Sequence, residues 1–230
     1  MELAGRIGLA EGRYLVREDG AERVLIVQEL GAARPARRGR RRPRAVEPGA
    51  PAQVPVTVVT VTGERVASAD EGSAWLKQVT RDGDRGAAEV RAATRIVNRA
   101  LSAARAGAQN PLVQEIGATR ALAIRLGHGS GDELADGRWS EAIELPPPRR
   151  GRLDEVDPQS RIAAVLAGRE EVHPAETLML RARLDAEQGR EREALYGIRA
   201  ALAALEEIPS ERSEELGKQL AAVREKIEGA

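Results

Sequence analysis

The chain has 230 residues and a balanced charge, with 36 basic and 36 acidic side chains, and 42% of its residues are hydrophobic. This length suffices for one large or two modest domains with a real core. The absence of cysteine excludes disulfides, thiolate nucleophiles and cysteine-ligated zinc or iron–sulfur centres. Because there are only two histidines, a histidine-rich metal site is excluded as well, and we expect no cofactor.

The composition also limits how the core is packed and where the protein resides. There is no Phe, and only two Trp and two Tyr are present. Ala, Val, Leu and Ile must therefore fill the core, which favours closely approaching helices. No apolar run approaches the roughly 18 residues that a membrane-spanning helix needs, and the first residues do not resemble a signal peptide. We expect a cytoplasmic protein.

The first 66 residues predict a small β-rich unit. Residues 12–30 indicate a β-hairpin, because two apolar, β-branched runs flank Asp19-Gly20, the two-residue signature of a type I′ turn. Residues 54–66 are rich in Val and Thr and predict a third strand that joins the hairpin in a small sheet. Residues 31–53 consist almost wholly of Ala, Arg, Pro and Gly, which predicts an exposed, disordered loop.

The central segment, residues 67–145, predicts a helical region. Ser68 and Glu71 indicate a capping box that opens a first helix. A second helix follows the break at residues 82–84, since apolar residues recur at helical spacing up to Leu101. Asn110-Pro111 predicts the start of a third helix, and we expect the second and third helices to pair as an antiparallel hairpin. The inward positions predicted for the third helix are Leu112, Ile116, Ala123 and Leu126.

The remainder of the chain predicts a domain boundary and then helices only. A glycine-rich loop is expected at residues 127–137, and the Pro- and Arg-rich stretch 146–152 is the predicted linker. Residues 153–230 predict C-terminal antiparallel helical hairpins, with helices that begin at Pro158 and Pro174, a third that runs to about Ile208, and a last one capped by Ser210. The last helix carries an apolar stripe formed by Leu216, Leu220, Val223 and Ile227. The predicted fold class is α+β, mainly α.

An arginine cluster without a single acidic residue is the strongest charge feature. Such a density meets phosphates through charge-assisted hydrogen bonds, with salt-sensitive affinity and no sequence readout. A solvated loop of biased composition, or contact with an acidic protein or membrane surface, remains an alternative. No aromatic residue interleaves with the arginines, so a base-stacking platform is not supported. The candidate nucleic-acid-binding residues are Arg34, Arg37, Arg38, Arg40, Arg41, Arg42 and Arg44.

A helical-repeat pattern lies near the C-terminus. The stretch 178–209 has small and apolar residues in an order that resembles a tetratricopeptide repeat; they are Leu178, Ala182, Gly189, Ala194, Ile198 and Ala201. The resemblance implies a protein-binding scaffold whose groove is formed by the first helix of each hairpin, and the candidate protein-binding residues are Leu178, Leu184 and Tyr196. The family's aromatic residue on the first helix is missing, so a generic Ala-rich helical hairpin remains the alternative. The chain as a whole also resembles uncharacterised Arg- and Ala-rich proteins of high-GC bacteria, which implies no mechanism.

The segment 127–133 contains His128 among glycines but matches no catalytic motif. It follows a predicted helix rather than a strand, and its glycines do not fit a dinucleotide fingerprint. It also lacks the Gly-Lys-Ser/Thr of a P-loop and the flanking glycines of a nucleophile elbow. A helix C-cap and a flexible turn account for the glycines, although a local polar site of His128, Ser130 and Asp132 remains open. We therefore expect no enzyme.

Three functional hypotheses follow from the sequence. The favoured one is a non-catalytic protein-interaction or scaffold protein that uses the C-terminal helices. The alternative is a sequence-nonspecific, nucleic-acid-associated protein that uses the arginine cluster. The least favoured is an enzyme, which requires a pocket holding His128 with an Asp or Glu partner.

Overall fold

The structure, a computed structural model, describes residues 1–18, 20–31, 54–63, 66–146, 158–208 and 213–228. The chain forms two compact units, Met1–Arg150 and Gly151–Ala230. The division between the units falls inside the segment predicted as the linker. The arginine cluster, most of the linker and Ser210 lie outside the described residues.

The first unit is built on a six-stranded antiparallel sheet, larger than the three-stranded sheet that we predicted. In the predicted hairpin Glu18 pairs with Ala21, which confirms the two-residue connection. The predicted third strand is confirmed as well, since Val59 pairs with Val27. The strands, in the spatial order β2-β3-β4-β1-β5-β6, are β1 (Glu2–Ala4), β2 (Gly12–Glu18), β3 (Ala21–Leu30), β4 (Val56–Val61), β5 (Ala121–His128) and β6 (Glu141–Leu145).

The described helices of this unit are α1 (Ala69–Arg81), α2 (Gly83–Gly107) and the short α3 (Gly131–Ala135). The predicted cap of α1 by Ser68 is confirmed, although the side chain of Glu71 bonds the N–H one residue before the one that a capping box uses. Ser68 Oγ accepts from the Glu71 N–H at 3.2 Å, and Glu71 Oε2 accepts from the Ala67 N–H at 2.5 Å. Asp82 ends α1 and caps α2, because its Oδ1 accepts from the N–H groups of Asp84 and Arg85. One residue therefore separates the two long helices, which is why they turn sharply and contact each other.

The core of the first unit lies between one face of the sheet and α2. Alternation along β3 directs Leu25 and Val27 to this face, and both are buried. They meet the apolar stripe of α2, whose spacing follows the helical period. The buried members of this core are Leu3, Leu9, Val16, Leu25, Val27, Val59, Ile96, Val97, Leu101, Val113 and Ile116.

The predicted third helix of the central segment is wrong, and so is its pairing with the second helix. Residues 111–120 form an irregular segment that ends in a 3₁₀ turn at Ala118–Arg120, and β5 follows. Leu112, predicted to face inward, is 81% exposed. Two hydrogen bonds from Asn98 hold the backbone of Ile116, and Ile124 pairs with Leu145 across the sheet. Pairing with distant strands thus overrides the local helical pattern.

The predicted glycine-rich loop at residues 127–137 is also largely wrong. Gly127 and His128 are the last residues of β5, and residues 131–135 form α3. A Cβ at position 127 would lie 2.6 Å from the Glu141 carbonyl oxygen and from Trp139 Cε3. This glycine is required by the close approach of β6 and Trp139, not by a flexible turn.

The second unit contains the helices α4 (Pro158–Leu166), α5 (Pro174–Glu187), α6 (Glu191–Glu207) and α7 (Ser213–Glu228). The predicted starts at Pro158 and Pro174 are confirmed, and so is the end of the third predicted helix near Ile208. Gly189 has φ +72° in the turn between α5 and α6, a conformation that glycine adopts without strain. The apolar stripe of α7 is confirmed, since Leu216, Leu220 and Ile227 are buried, and α7 contacts both α5 and α6.

Small residues set the distance between α5 and α6. Ala182, Ala194 and Ala201 have no exposed surface. A Cβ added to Gly197 would lie 2.9 Å from Ala182 Cβ and 3.3 Å from its Cα. The two helix backbones therefore approach closely at this point, and a larger residue at either position would push them apart.

This close approach predicts opposite effects for two glycine substitutions. Gly197→Ala should destabilise the second unit by about 1 to 2 kcal/mol, because the clash with Ala182 outweighs the better helix propensity of alanine. Gly217→Ala should stabilise the unit by about 0.5 to 1 kcal/mol, since nothing lies within 4 Å of the added Cβ. Urea unfolding followed by the circular dichroism at 222 nm measures both. Equal stabilisation by the two substitutions would show that the helices can separate without cost.

Candidate functional site

The arginine cluster at residues 34–44 lies outside the described part of the chain. The same is true of Arg149, Arg150 and Arg152 in the linker. The nucleic-acid-binding role predicted for the seven arginines at residues 34–44 therefore stays a prediction from the sequence.

His128 lies at the carboxyl end of β5, buried beneath α1. Its Nε2 atom is 3.5 Å from Glu141 Oε2 on β6 and has no hydrogen-bond partner among the described residues. Ser73 on α1 donates a hydrogen bond to the same carboxylate oxygen at 2.5 Å. A Cβ at Gly72 would lie 2.5 Å from His128 Cγ, so α1 packs directly on the imidazole ring.

In the cluster of His128, Ser73 and Glu141, the group with a shifted pKa is the Glu141 carboxyl. The hydrogen bond from Ser73 lowers the pKa of the Glu141 carboxyl below its ordinary value, and His128 and Lys77 act in the same direction. The carboxylate therefore lies between the hydroxyl and the imidazole, whereas a nucleophilic triad places the imidazole against the hydroxyl. This arrangement joins α1 to β6 and does not activate Ser73 through His128. Within the described ranges, no three or more His, Asp or Glu side chains are placed to hold a metal ion.

Sequence reasoning did not identify these partners of His128. It named Ser130 and Asp132, and the side chain of Asp132 lies outside the described part. Glu141 is directly opposite His128 in the β5–β6 ladder. The available signal was the alternation Ile124, Leu126, His128, which places these residues on one face of a strand.

The helices α5, α6 and α7 form the candidate interaction site of the second unit. The predicted residues lie in different environments: Leu178 packs against the core of the unit, Leu184 is half-buried, and Tyr196 is 58% exposed. Ala200 and Ala203 follow Tyr196 at helical spacing and are exposed too. Tyr196 therefore begins a shallow strip on α6, which we call the Tyr196 strip and define as Tyr196, Ala200 and Ala203.

Another exposed apolar residue was missed by the sequence reasoning. Leu180 on α5 is 61% exposed and lies one helical turn before Leu184. The signal was present, because the apolar residues of α5 outnumber the positions that one buried face can hold. The repeat pattern predicted Leu178 as a binding residue, but this side chain packs against the core of the second unit.

Ion pairs to buried or half-buried acids connect and stabilise the helices of the second unit. Asp185 is buried and accepts from Arg190 across the α5–α6 turn at 2.6 Å and from Arg181 one turn earlier on α5 at 3.0 Å. Arg161 on α4 donates to Glu176 on α5 at 2.6 Å and to Glu170 at 2.7 Å. These hydrogen bonds raise the pKa of Arg161 above its ordinary value. The exposed apolar residues are thus presented on helices that packing and charge pairing hold in place.

Comparisons with known proteins identify no relative of the chain. No family model, curated protein or solved structure matches it. Among the described helices, none is long and apolar enough to cross a membrane.

Proposed function

We propose that this chain is a non-catalytic interaction protein whose C-terminal helices dock a partner protein. The observation that carries the proposal is the exposure of Tyr196 on a hairpin that is otherwise closely packed through alanines. A tyrosine offers a large contact area with few rotatable bonds and is enriched among the residues that dominate interface energies. The entire sequence contains only four aromatic residues. That one of them, Tyr196, is exposed and not packed in the core supports a binding role for it.

The charges around the Tyr196 strip suggest the chemistry of the partner. Glu193 and Glu207 lie near the two ends of the strip, but exposed Arg192 and Arg199 lie beside it at helical spacing, so the surrounding charge is mixed. We therefore infer a partner segment that contacts the strip chiefly through apolar side chains.

A photo-crosslinking amino acid placed at position 196 tests the proposal. In cells, we expect one dominant adduct from position 196 and none from position 183, an exposed site on α5 where Arg183 pairs with Glu187. The purified partner should bind the Tyr196→Ala variant at least about tenfold more weakly. An adduct pattern identical at both positions, or equal affinity for the variant, would contradict the proposal.

The second candidate function is nucleic-acid association through the arginine cluster. The observation in its favour is seven arginines within residues 34–44 and no acid among them. It differs from the first in its salt dependence, since phosphate contacts weaken steeply between about 50 and 200 mM salt whereas docking on the Tyr196 strip does not. Fluorescence anisotropy with labelled DNA and RNA, comparing the chain with a variant whose seven arginines are changed to Gln, measures this difference.

A further inference from the structure

A cleft in the first unit lies between the end of β1 and the irregular segment 110–120. Its volume is about 430 Å³, within the range of small-molecule sites. A Cβ at Gly8 would lie 3.1 Å from Val113, so the two walls meet closely at the base. The lining residues that face a ligand include Arg6, Asn110, Leu112, Val113, Gln114 and Arg120.

The wall formed by residues 110–120 is held in place from below. Asn98, fully buried on α2, donates to the Ile116 carbonyl at 3.0 Å and accepts from the Ile116 N–H at 2.8 Å. Asn110 Oδ1 accepts from the Leu112 N–H at 3.0 Å. The segment therefore has a defined shape without a ligand, and the binding of a ligand would not need to order it.

The polar groups at this cleft are cationic or amidic. Arg6 donates through Nε to Glu29 at 3.1 Å, which leaves its two terminal nitrogens for other acceptors. Arg120 is exposed and makes no ion pair with any acid in the described part of the chain. Asn110 and Gln114 add amide donors. A guanidinium group binds carboxylate and phosphate oxygens in a bidentate manner, so these groups suit an anion.

The apolar lining of the cleft indicates that its ligand carries an apolar group in addition to the anionic one. Leu3, Val113 and Ile116 are buried beneath the cleft, whereas Leu112 at its edge is almost fully exposed. An exposed leucine beside a buried apolar base gains most if a ligand covers it. An inorganic ion would contact the arginines and leave Leu112 in water.

We propose that this cleft binds a small organic anion, a carboxylate or phosphate monoester that carries a compact apolar group. The anionic end contacts Arg120 and Arg6, and the apolar group covers Leu112 and Val113. This site lies in the first unit and does not depend on partner docking by the second.

Titration calorimetry with phenyl phosphate, hexanoate and inorganic phosphate tests the proposal on the full chain. We expect phenyl phosphate or hexanoate to bind at least about tenfold more tightly than inorganic phosphate, because only they cover Leu112. Arg120→Gln should weaken this binding about tenfold or more, and Leu112→Ser should weaken the organic anions but not inorganic phosphate.

Arg138→Gln is the matched control, since Arg138 pairs with Asp136 away from the cleft. The control should bind like the unchanged chain. The proposal is wrong if both organic anions have dissociation constants above about 10 mM, which corresponds to a binding free energy weaker than about 3 kcal/mol. It is equally wrong if Arg120→Gln and Arg138→Gln have the same effect.

Discussion

Replacing Asn98 by Ala is expected to lower the free energy of unfolding of the first unit by about 2 to 6 kcal/mol. The side chain is fully buried, and it bonds both the N–H and the carbonyl of Ile116. Alanine has neither the amide donor nor the amide acceptor of Asn98. The N–H and the carbonyl of Ile116 then stay buried without a hydrogen bond, which costs roughly 1 to 3 kcal/mol for each group. The same loss releases the wall of the proposed anion cleft.

Urea unfolding followed by tryptophan fluorescence measures this effect, because Trp75 and Trp139 both lie in the first unit and the second has none. Asn110→Ala is the matched control. Its Oδ1 also accepts a backbone N–H, but the site is exposed and water can replace the bond, so the loss should stay below about 1 kcal/mol. If Asn98→Ala costs no more than the control, the backbone of Ile116 is not held through this side chain.

The parts of the fold that sequence reasoning predicted are those that local chemistry determines. Asp19-Gly20 specifies a two-residue hairpin, because positive φ is required there and Gly20 has φ +79°. Ser68 and Glu71 specify where α1 begins, since Ser68 Oγ accepts from the Glu71 N–H in the first turn and the Glu71 carboxylate accepts from the N–H of Ala67, just before the cap. In both cases the residues that form the structure are neighbours in the chain.

β5 shows where local reasoning failed. Its first six residues are Ala, Leu, Ile and Arg, a composition that favours a helix, and Asn110-Pro111 upstream has the pattern of a helix start. Its strand conformation depends on β1, more than a hundred residues earlier, where Leu3 pairs with Ala121. No local pattern encodes that pairing, and it decides the conformation of the whole segment.

The candidate sites were predictable to different degrees. The repeat pattern placed the α5–α6 hairpin correctly, because small residues and Gly189 are needed wherever two helices pack closely. It did not distinguish Leu178, which packs inward, from Leu180, which is exposed, since this depends on the positions of α6 and α7. The anion cleft was not predictable at all, because Arg6 and Arg120 come together only through the β1–β5 pairing.

Raising the pH from 6 to 8 is expected to stabilise the first unit through the Met1 amine. This amine donates to the Val59 carbonyl at 2.8 Å at the end of the β1–β4 ladder. Burial lowers its pKa from 8.0 to about 6; Glu2 opposes this shift, and Arg125 adds to it. Between these two values the unfolded chain binds more protons than the folded one, so stability rises with pH. A pKa shift of this size corresponds to about 2 to 3 kcal/mol in the free energy of unfolding. This stability is present above pH 8 and is fully lost below pH 6.

Unfolding by urea at pH 5.5, 7 and 8.5, again followed by tryptophan fluorescence, measures this dependence. A chain acetylated at its α-amino group cannot titrate there and should lose the rise between pH 6 and 8, although its N–H can still donate to Val59. His128 is the one histidine of the first unit, and the His128→Gln variant should keep the rise. A rise that survives acetylation would refute the role of the amine.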